Sequence, residues 1–282
     1  MLSTLRLPQI STNVRLVASR LLFPELAGAW AERLFLTPPR ASDAGASALD
    51  LIDARSGCIV HKSRHIMTWR WGQADAPAVL LAHGWGGHAA QMRAFVFPLL
   101  AAGYRAIAYD QPAHGLSEGR LTGLPDFADV LAELAWHYGD VRAVIGHSLG
   151  ATAAAMAHAR SKLDVDKIVL ISPPSDLVGY SRRFARWHWM PEPLRHAMQA
   201  AIEERYGLRW EELELGRIAP RLTTQALIIH DREDRVVPWR QGAAVAEQWR
   251  GARLVTTEGL GHGRILWDDA VTAAAVDFID GR

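Results

Sequence analysis

Six short apolar runs, each bounded by turn residues, punctuate this chain: Ala78 to Ala82, Arg105 to Tyr109, Val141 to Ile145, Lys167 to Ile171, Gln225 to Ile229 and Ala252 to Thr256. Each is too short for a buried helix, so most read as strands covered on both faces. Segments of helical period lie between most of them, such as Phe127, Val130, Leu131, Leu134 and Ala135. Strands alternating with helices imply an α/β fold with a mostly parallel central sheet flanked by helices. Ahead of the first run, Ile66, Thr68 and Arg70 alternate with Met67, Trp69 and Trp71, a strand with two differently occupied faces. The rhythm breaks between Pro173 and about Thr224, where helical patterns appear and no strand does. We therefore expect a sheet core over 56–172 and 222–282, with a helical cap inserted over 173–221.

Residues 1–55 stand outside that rhythm and are expected to form a helical extension and linker. Val14, Val17, Ala18 and Leu21 share one helical face, and Ala27, Trp30, Ala31 and Leu34 repeat the pattern after Pro24. Two short amphipathic helices follow from this, stopped by Pro38 and Pro39. The first 24 residues carry Arg6, Arg15 and Arg20 and no acid, a composition shared by targeting peptides and membrane-surface helices. No apolar run approaches the roughly 18 residues of a membrane span, and no signal-peptide core precedes a small-residue cleavage site. The expectation is a cytoplasmic protein whose first helices pack on its own body, with peripheral membrane contact by residues 1–38 as the second reading.

Composition narrows the partners. The 282 residues hold 31 Lys+Arg against 30 Asp+Glu, a formal net charge of +1, so the clustered basic excess of a nucleic-acid binder is missing. The one cysteine, Cys58, leaves no internal disulfide and no multi-cysteine zinc site. His188 and His196 are too far apart to share a helical metal site. No metal or other cofactor is expected.

The chemistry concentrates at Gly146-His147-Ser148-Leu149-Gly150, which follows the Val141 run and precedes a small-residue helix beginning at Ala151. A Gly-x-Ser-x-Gly between a buried strand and a helix is a nucleophile elbow. Its glycines are expected to permit a strained turn that lifts the hydroxyl clear of the backbone, and the helix N-terminus behind favours negative charge. A serine needs a base to take its proton, and the base needs a carboxylate to orient it. His262 lies in the Gly-rich stretch Gly259-Leu260-Gly261-His262-Gly263, after the last run. Asp231, Glu233 and Asp234 follow the Gln225 run; Asp234 is the preferred acid, with Asp231 and Glu233 as alternatives. Directly after the Ala78 run comes His83-Gly84-Trp85-Gly86-Gly87, whose glycines let a backbone N–H point into a site. His83 itself reads as structural.

In this order the motifs resemble those of the α/β-hydrolase superfamily, in its capped branch of serine esterases, lipases and peptidases. The resemblance covers about residues 56–282. It includes Asp110-Gln111-Pro112-Ala113-His114-Gly115-Leu116-Ser117, similar to that family's Asp-x-Pro-Gly-His-Gly-x-Ser segment with Ala113 replacing a glycine. It implies a triad in the chain order Ser148, Asp234, His262, and an oxyanion hole formed by the Trp85 and Leu149 N–H groups. Branches with an elbow aspartate (haloalkane dehalogenases, epoxide hydrolases) or cysteine (dienelactone hydrolases) are set aside, because Ser148 stands there. The implied reaction is a carboxylesterase cleaving a small-to-medium, largely apolar ester through an acyl-enzyme on Ser148. Alternatives are an aminopeptidase-type amide hydrolase, or a lysophospholipase or monoacylglycerol lipase; cofactor-free lyases and perhydrolases share the triad.

In the expected cap, Tyr180, Phe184 and Trp187 recur at i, i+4 and i+7, with Arg182, Arg183 and Arg186 between them. This reads as an amphipathic helix with an aromatic face over a pocket and the arginines on a solvated face. Phe184, Trp187, Trp189 and Trp239 are the candidate substrate-binding residues. Glu203, Glu204, Glu211 and Glu212 are what an aminopeptidase would need to hold an amine. Of 11 tryptophans, Trp85, Trp187, Trp189, Trp210, Trp239 and Trp267 fall in segments expected around one pocket. They predict a rigid apolar cavity with indole N–H donors; Trp30, Trp69, Trp71, Trp136 and Trp249 read as packing residues.

Overall fold

The computed structural model describes residues 24–39, 51 and 53–281. In chain order its principal elements are α1 (Pro24–Phe35), β1 (Arg55–His61), β2 (Arg64–Trp71), β3 (Ala78–Ala82), α2 (Val96–Ala101), β4 (Arg105–Tyr109), α3 (Leu124–Tyr138) and β5 (Val141–His147). There follow α4 (Leu149–Ala159), β6 (Lys167–Ile171), α5 (Leu177–Trp187), α6 (Glu192–Tyr206), β7 (Gln225–Asp231), α7 (Trp239–Gln248), β8 (Ala252–Thr257) and α8 (Asp269–Asp280). They divide into a larger unit, with residues 38–175 and from 215 onward, and a smaller one that joins 24–37 to 176–214. The linker and the helix expected around Val14 to Leu21 lie outside the described residues, save Pro39.

The larger unit is one eight-stranded sheet in the order β1-β2-β4-β3-β5-β6-β7-β8. β2 runs antiparallel to both β1 and β4, and every other pair is parallel. Val79, Leu81, Ala143, Ile145, Val169, Ile171, Leu227 and Ile229 point to one face, into a core with Met92, Phe95, Leu99, Val271 and Ile279. The intervening residues meet α3, α4 and α7 on the other face, so apolar side chains fill both sides, as continuous apolar runs require. β5 and β7 continue two residues past their runs, where His147 pairs with Ile171 and Asp231 with Thr257. β3 is flanked by β4 on one side and β5 on the other, so sheet growth reverses there. A crevice at the C-terminal ends of β3 and β5 is the ordinary ligand site of such sheets.

Among the described residues, three α-helices build the smaller unit. The described part of the N-terminal segment, expected as an extension of its own, belongs here with the inserted helices. Its buried face is Ala27, Gly28, Ala31 and Glu32, and Trp30 is half exposed; small residues let α1 approach α6, where Gly28 leaves no slack beside Ala197. Glu32 pairs with Arg205 of α6. Phe35 sets its ring edge-on to Phe184 at 4.9 Å and Tyr180 at 5.7 Å, and 5.9 Å from Trp210. The aromatic face of α5 is thus met by Phe35.

Candidate active site

Ser148 stands between β5 and α4 with φ +52 and ψ −124, a conformation that residues with a Cβ rarely adopt. The strain falls on the serine itself. Neither Gly146 nor Gly150 has positive φ, which corrects the expectation that the glycines supply the turn. They are needed for approach: a Cβ on Gly146 would lie 2.6 Å from Ala151 Cα, and one on Gly150 2.5 Å from the carbonyl oxygens of both Ala82 and His83. The helix of the elbow is pressed against the end of β3. Across the crevice, a Cβ on Gly84 would come within 2.8 Å of Ser148 Cβ and 3.3 Å of Ser148 Oγ, so the His-Gly loop passes in contact with the serine. Leu149 N–H heads α4, where helix N–H groups have no internal partner. Among the described residues neither it nor Trp85 N–H meets a backbone or side-chain acceptor.

The Gly-rich loop after β8 is drawn to the same place by three buried side chains. His262 Nδ1–H donates to Asp234 Oδ2 at 2.7 Å, leaving Nε2 of the ring as the free acceptor. Asp234 Oδ1 accepts from the Val236 and Val237 N–H groups at 2.8 and 2.9 Å, and its Oδ2 also lies 3.4 Å from His230 Nε2. Burial would raise the Asp234 carboxyl, but bonds from His230, His262 and the backbone outweigh it and hold the group well below the ordinary carboxylate range. His147, the residue before Ser148, donates Nε2–H to the carbonyl of His262 at 2.9 Å, tying the elbow to the histidine loop. Burial pushes the His147 imidazole down to about 3, so it remains a neutral donor. Asp231 is the third support: it accepts from Thr257 Oγ1 at 2.7 Å, Leu260 N at 3.0 Å and Glu233 N at 2.9 Å.

The His-Gly loop has its own braces. His83, fully buried, donates Nδ1–H to Gly84 O at 2.7 Å and accepts from Gln111 N–H at 2.9 Å. His114 accepts the Gly86 N–H at 2.9 Å and donates to Pro112 O at 2.9 Å. Asp110 accepts from the Ala89 and Leu116 N–H groups, both at 2.7 Å. Ala113 has φ +65, which accounts for the glycine found there in similar segments. His147 and His230 carry no signal in the sequence beyond being histidines in apolar or Gly-rich surroundings, whereas His114 stands in the Asp110 to Ser117 segment.

Within their own units, the residues expected to line a pocket have the following surroundings. Trp187 and Trp189 are 70% and 81% exposed, Phe184 packs on Phe35, and Trp267 is half exposed under the Arg93 guanidinium. Trp239 donates its indole N–H to Thr256 Oγ1 at 3.1 Å and lies beneath Arg232, so it offers no free donor. Trp85 packs against His114 and Phe127. Trp136, expected in the core, is 80% exposed, because it lies opposite the buried Phe127, Val130, Leu131 and Leu134 on α3. Glu203 and Glu212 accept the Trp210 and Arg209 N–H groups, both at 2.7 Å, and are engaged within the smaller unit.

Elsewhere in the larger unit, an open groove of about 440 Å³ is lined by Tyr104, Arg142, Asp166 and Lys167 at the opposite ends of the strands. Its cations are spent on Asp140 and on the Phe278 and Ile279 carbonyls. Among the described residues no three His, Cys, Asp or Glu side chains are grouped to hold a metal ion, and no helix is long and apolar enough to cross a membrane.

Sheet order and elbow are those of the α/β-hydrolase fold. Residues 79–276 match the model of the Alpha/beta hydrolase family, and the chain belongs to it. A bifunctional esterase/perhydrolase of Acinetobacter calcoaceticus is 27% identical over 241 residues, 68% of this chain and 87% of that one. Among solved structures, a membrane phospholipase A described as a bacterial virulence factor shares the fold with a TM-score of 0.65 at 20% identity, covering 95% of this chain and 96% of its own. An esterase of Pyrococcus furiosus has a TM-score of 0.64 at 21% identity, covering 87% and 99%.

Proposed function

We propose that the protein is a carboxylesterase in which Ser148, His262 and Asp234 act as a catalytic triad on small-to-medium, largely apolar esters. The observation that carries this reading is the His262–Asp234 bond of 2.7 Å, which leaves Nε2 of the ring as a proton acceptor in a loop tied to the elbow through His147. Nε2 takes the Ser148 proton as Oγ attacks the ester carbonyl. The Trp85 and Leu149 N–H groups receive the oxyanion; losing one such donor typically costs about 100- to 1,000-fold in rate. Collapse of the tetrahedral adduct breaks the ester C–O bond, and His262 returns the proton to the leaving alcohol. Water, deprotonated by His262, then attacks the acyl carbonyl, and collapse breaks the acyl-Ser148 bond as His262 returns the proton to Ser148 Oγ and the acid is released. The esterase activity in the name of the Acinetobacter relative agrees with this assignment. An aminopeptidase reading has less support, since Glu203 and Glu212 are already engaged.

The test is hydrolysis of short p-nitrophenyl esters by the purified protein, together with covalent labelling of Ser148 by a fluorophosphonate. We expect both, with Ser148→Ala folding normally and losing kcat by several orders of magnitude. Wild-type protein that neither cleaves these esters nor takes the label would overturn the assignment.

A further inference from the structure

α5 ends in a turn whose chemistry does not match its residue. Met190 N–H donates to Ala185 O at 2.8 Å and Trp189 N–H to Arg186 O at 3.2 Å, the Schellman pattern that ordinarily places glycine at the left-handed position. Here that position is Trp189, with φ +54. Met190 and Ala185, the two positions whose apolar side chains accompany the motif, are both buried, so the turn is complete without the indole. A bulky side chain in this conformation is unfavourable, and at 81% exposure Trp189 recovers almost nothing by burial. Folding does not explain the residue.

Its surroundings suggest what does. Trp187, also largely exposed, lies two positions earlier, and Arg182, Arg183 and Arg186 occupy the same two turns, with the Arg183 guanidinium 5.7 Å from the Tyr180 ring. No acidic residue lies between Leu177 and Pro191. Glu192, just beyond, is bound by Arg195 at 2.7 Å, with His196 at 3.6 Å and Arg182 nearby. We propose that this helix end docks on an anionic lipid surface, with Trp187 and Trp189 at headgroup level and Arg182, Arg183 and Arg186 facing lipid phosphates. Indole and guanidinium are the side chains suited to the bilayer boundary, where each pairs an apolar body with a polar tip.

The experiment compares the full chain with Trp189→Gly by co-sedimentation with phosphatidylcholine vesicles, with and without phosphatidylglycerol, and by thermal melting. Glycine relieves the turn, so the variant should melt about 2–4 °C higher while its partition onto phosphatidylglycerol vesicles falls about tenfold. Arg182→Gln, Arg183→Gln and Arg186→Gln should each weaken binding about fivefold on those vesicles and leave pure phosphatidylcholine unaffected. Wild-type protein that ignores phosphatidylglycerol vesicles overturns the proposal, as does a Trp189→Gly variant that binds them equally well. A lower melting point for that variant would make the indole structural. Self-association lost in the variant, without vesicle binding, would make the surface a protein interface.

Discussion

Asp231 and Asp234 stand three positions apart at the end of β7, and spacing alone leaves either able to orient the base. The structure separates them by what each accepts. Asp234 takes the ring N–H of His262, whereas Asp231 takes the Thr257 hydroxyl and the Leu260 and Glu233 backbone N–H groups. Burial opposes ionisation of Asp231, yet those donors, with Gly261 N–H, hold its carboxyl below the usual carboxylate value. In the proposed mechanism Asp231 would be a positioning residue: it pins the backbone two residues before His262 without touching the ring. Asp231→Asn keeps the shape but turns an N–H toward groups that are themselves donors, leaving buried polar atoms unpaired at about 1–3 kcal/mol. We expect kcat for ester hydrolysis to fall about 10- to 100-fold with KM little changed, since misplacing the base by an ångström costs about that much. The melting point should fall with it. Unchanged kcat would mean that the loop needs no such anchor.

The elbow is an element in which strand, turn and helix are specified together. Its five-residue pattern was legible because two glycines and a serine between an apolar run and an alanine-rich helix have few other uses. The physical cause was not legible: the glycines serve the contact between α4 and β3, and that distance exists only once the sheet has assembled. Gly150→Ala would drive a methyl group into the Ala82 and His83 carbonyl oxygens. Backbone cannot step aside as a side chain can, so we expect a loss of at least about 1–3 kcal/mol, read as a lower melting point. Ester hydrolysis should fall too, because the shifted segment leads into the Trp85 N–H. The six apolar runs appear as strands with ends moved by two residues or fewer; five are buried on both faces, which records them in nearly every residue, whereas β8 is a part-exposed edge strand. β1 has no apolar run to mark it, because a half-exposed edge strand needs no apolar period. The aromatic face of α5 was legible but its partner was not: Phe35 lies far away in sequence, and nothing local says which ring will meet it.

At the scale of the molecule, charge is nearly balanced, at 31 basic against 30 acidic residues, so general repulsion should change little near neutral pH and individual buried groups should decide acid stability. Of the four histidines buried in the larger unit, His83, His114 and His147 are kept neutral by that burial. Burial takes His147 down to about 3 and His114 to about 4, and His83 lies well below its ordinary value of 6.5, with the neighbouring His114 adding to the effect. His83 and His114 each also use one ring nitrogen as an acceptor, for Gln111 and Gly86 N–H, a role that protonation abolishes. Each folded-state value is depressed, so the unfolded chain binds the proton first. The stabilisation is complete above about pH 6.5 and drains away as pH falls toward the folded values. Up to three protons at about 1.4 kcal/mol each per pH unit set an upper bound of about 4 kcal/mol per unit. Asp231 and Asp234, both depressed, add their loss only below about pH 4, and Asp110, raised by burial, works in the opposite sense with a single proton. Melting points recorded from pH 8 to about pH 5 at constant ionic strength should therefore be level at first and then fall steadily once pH drops below about 6.5. A melting point that stays level down to about pH 5 would mean that these histidines gain their protons without unfolding, and that the neutral bracing of the His-Gly loop is wrong.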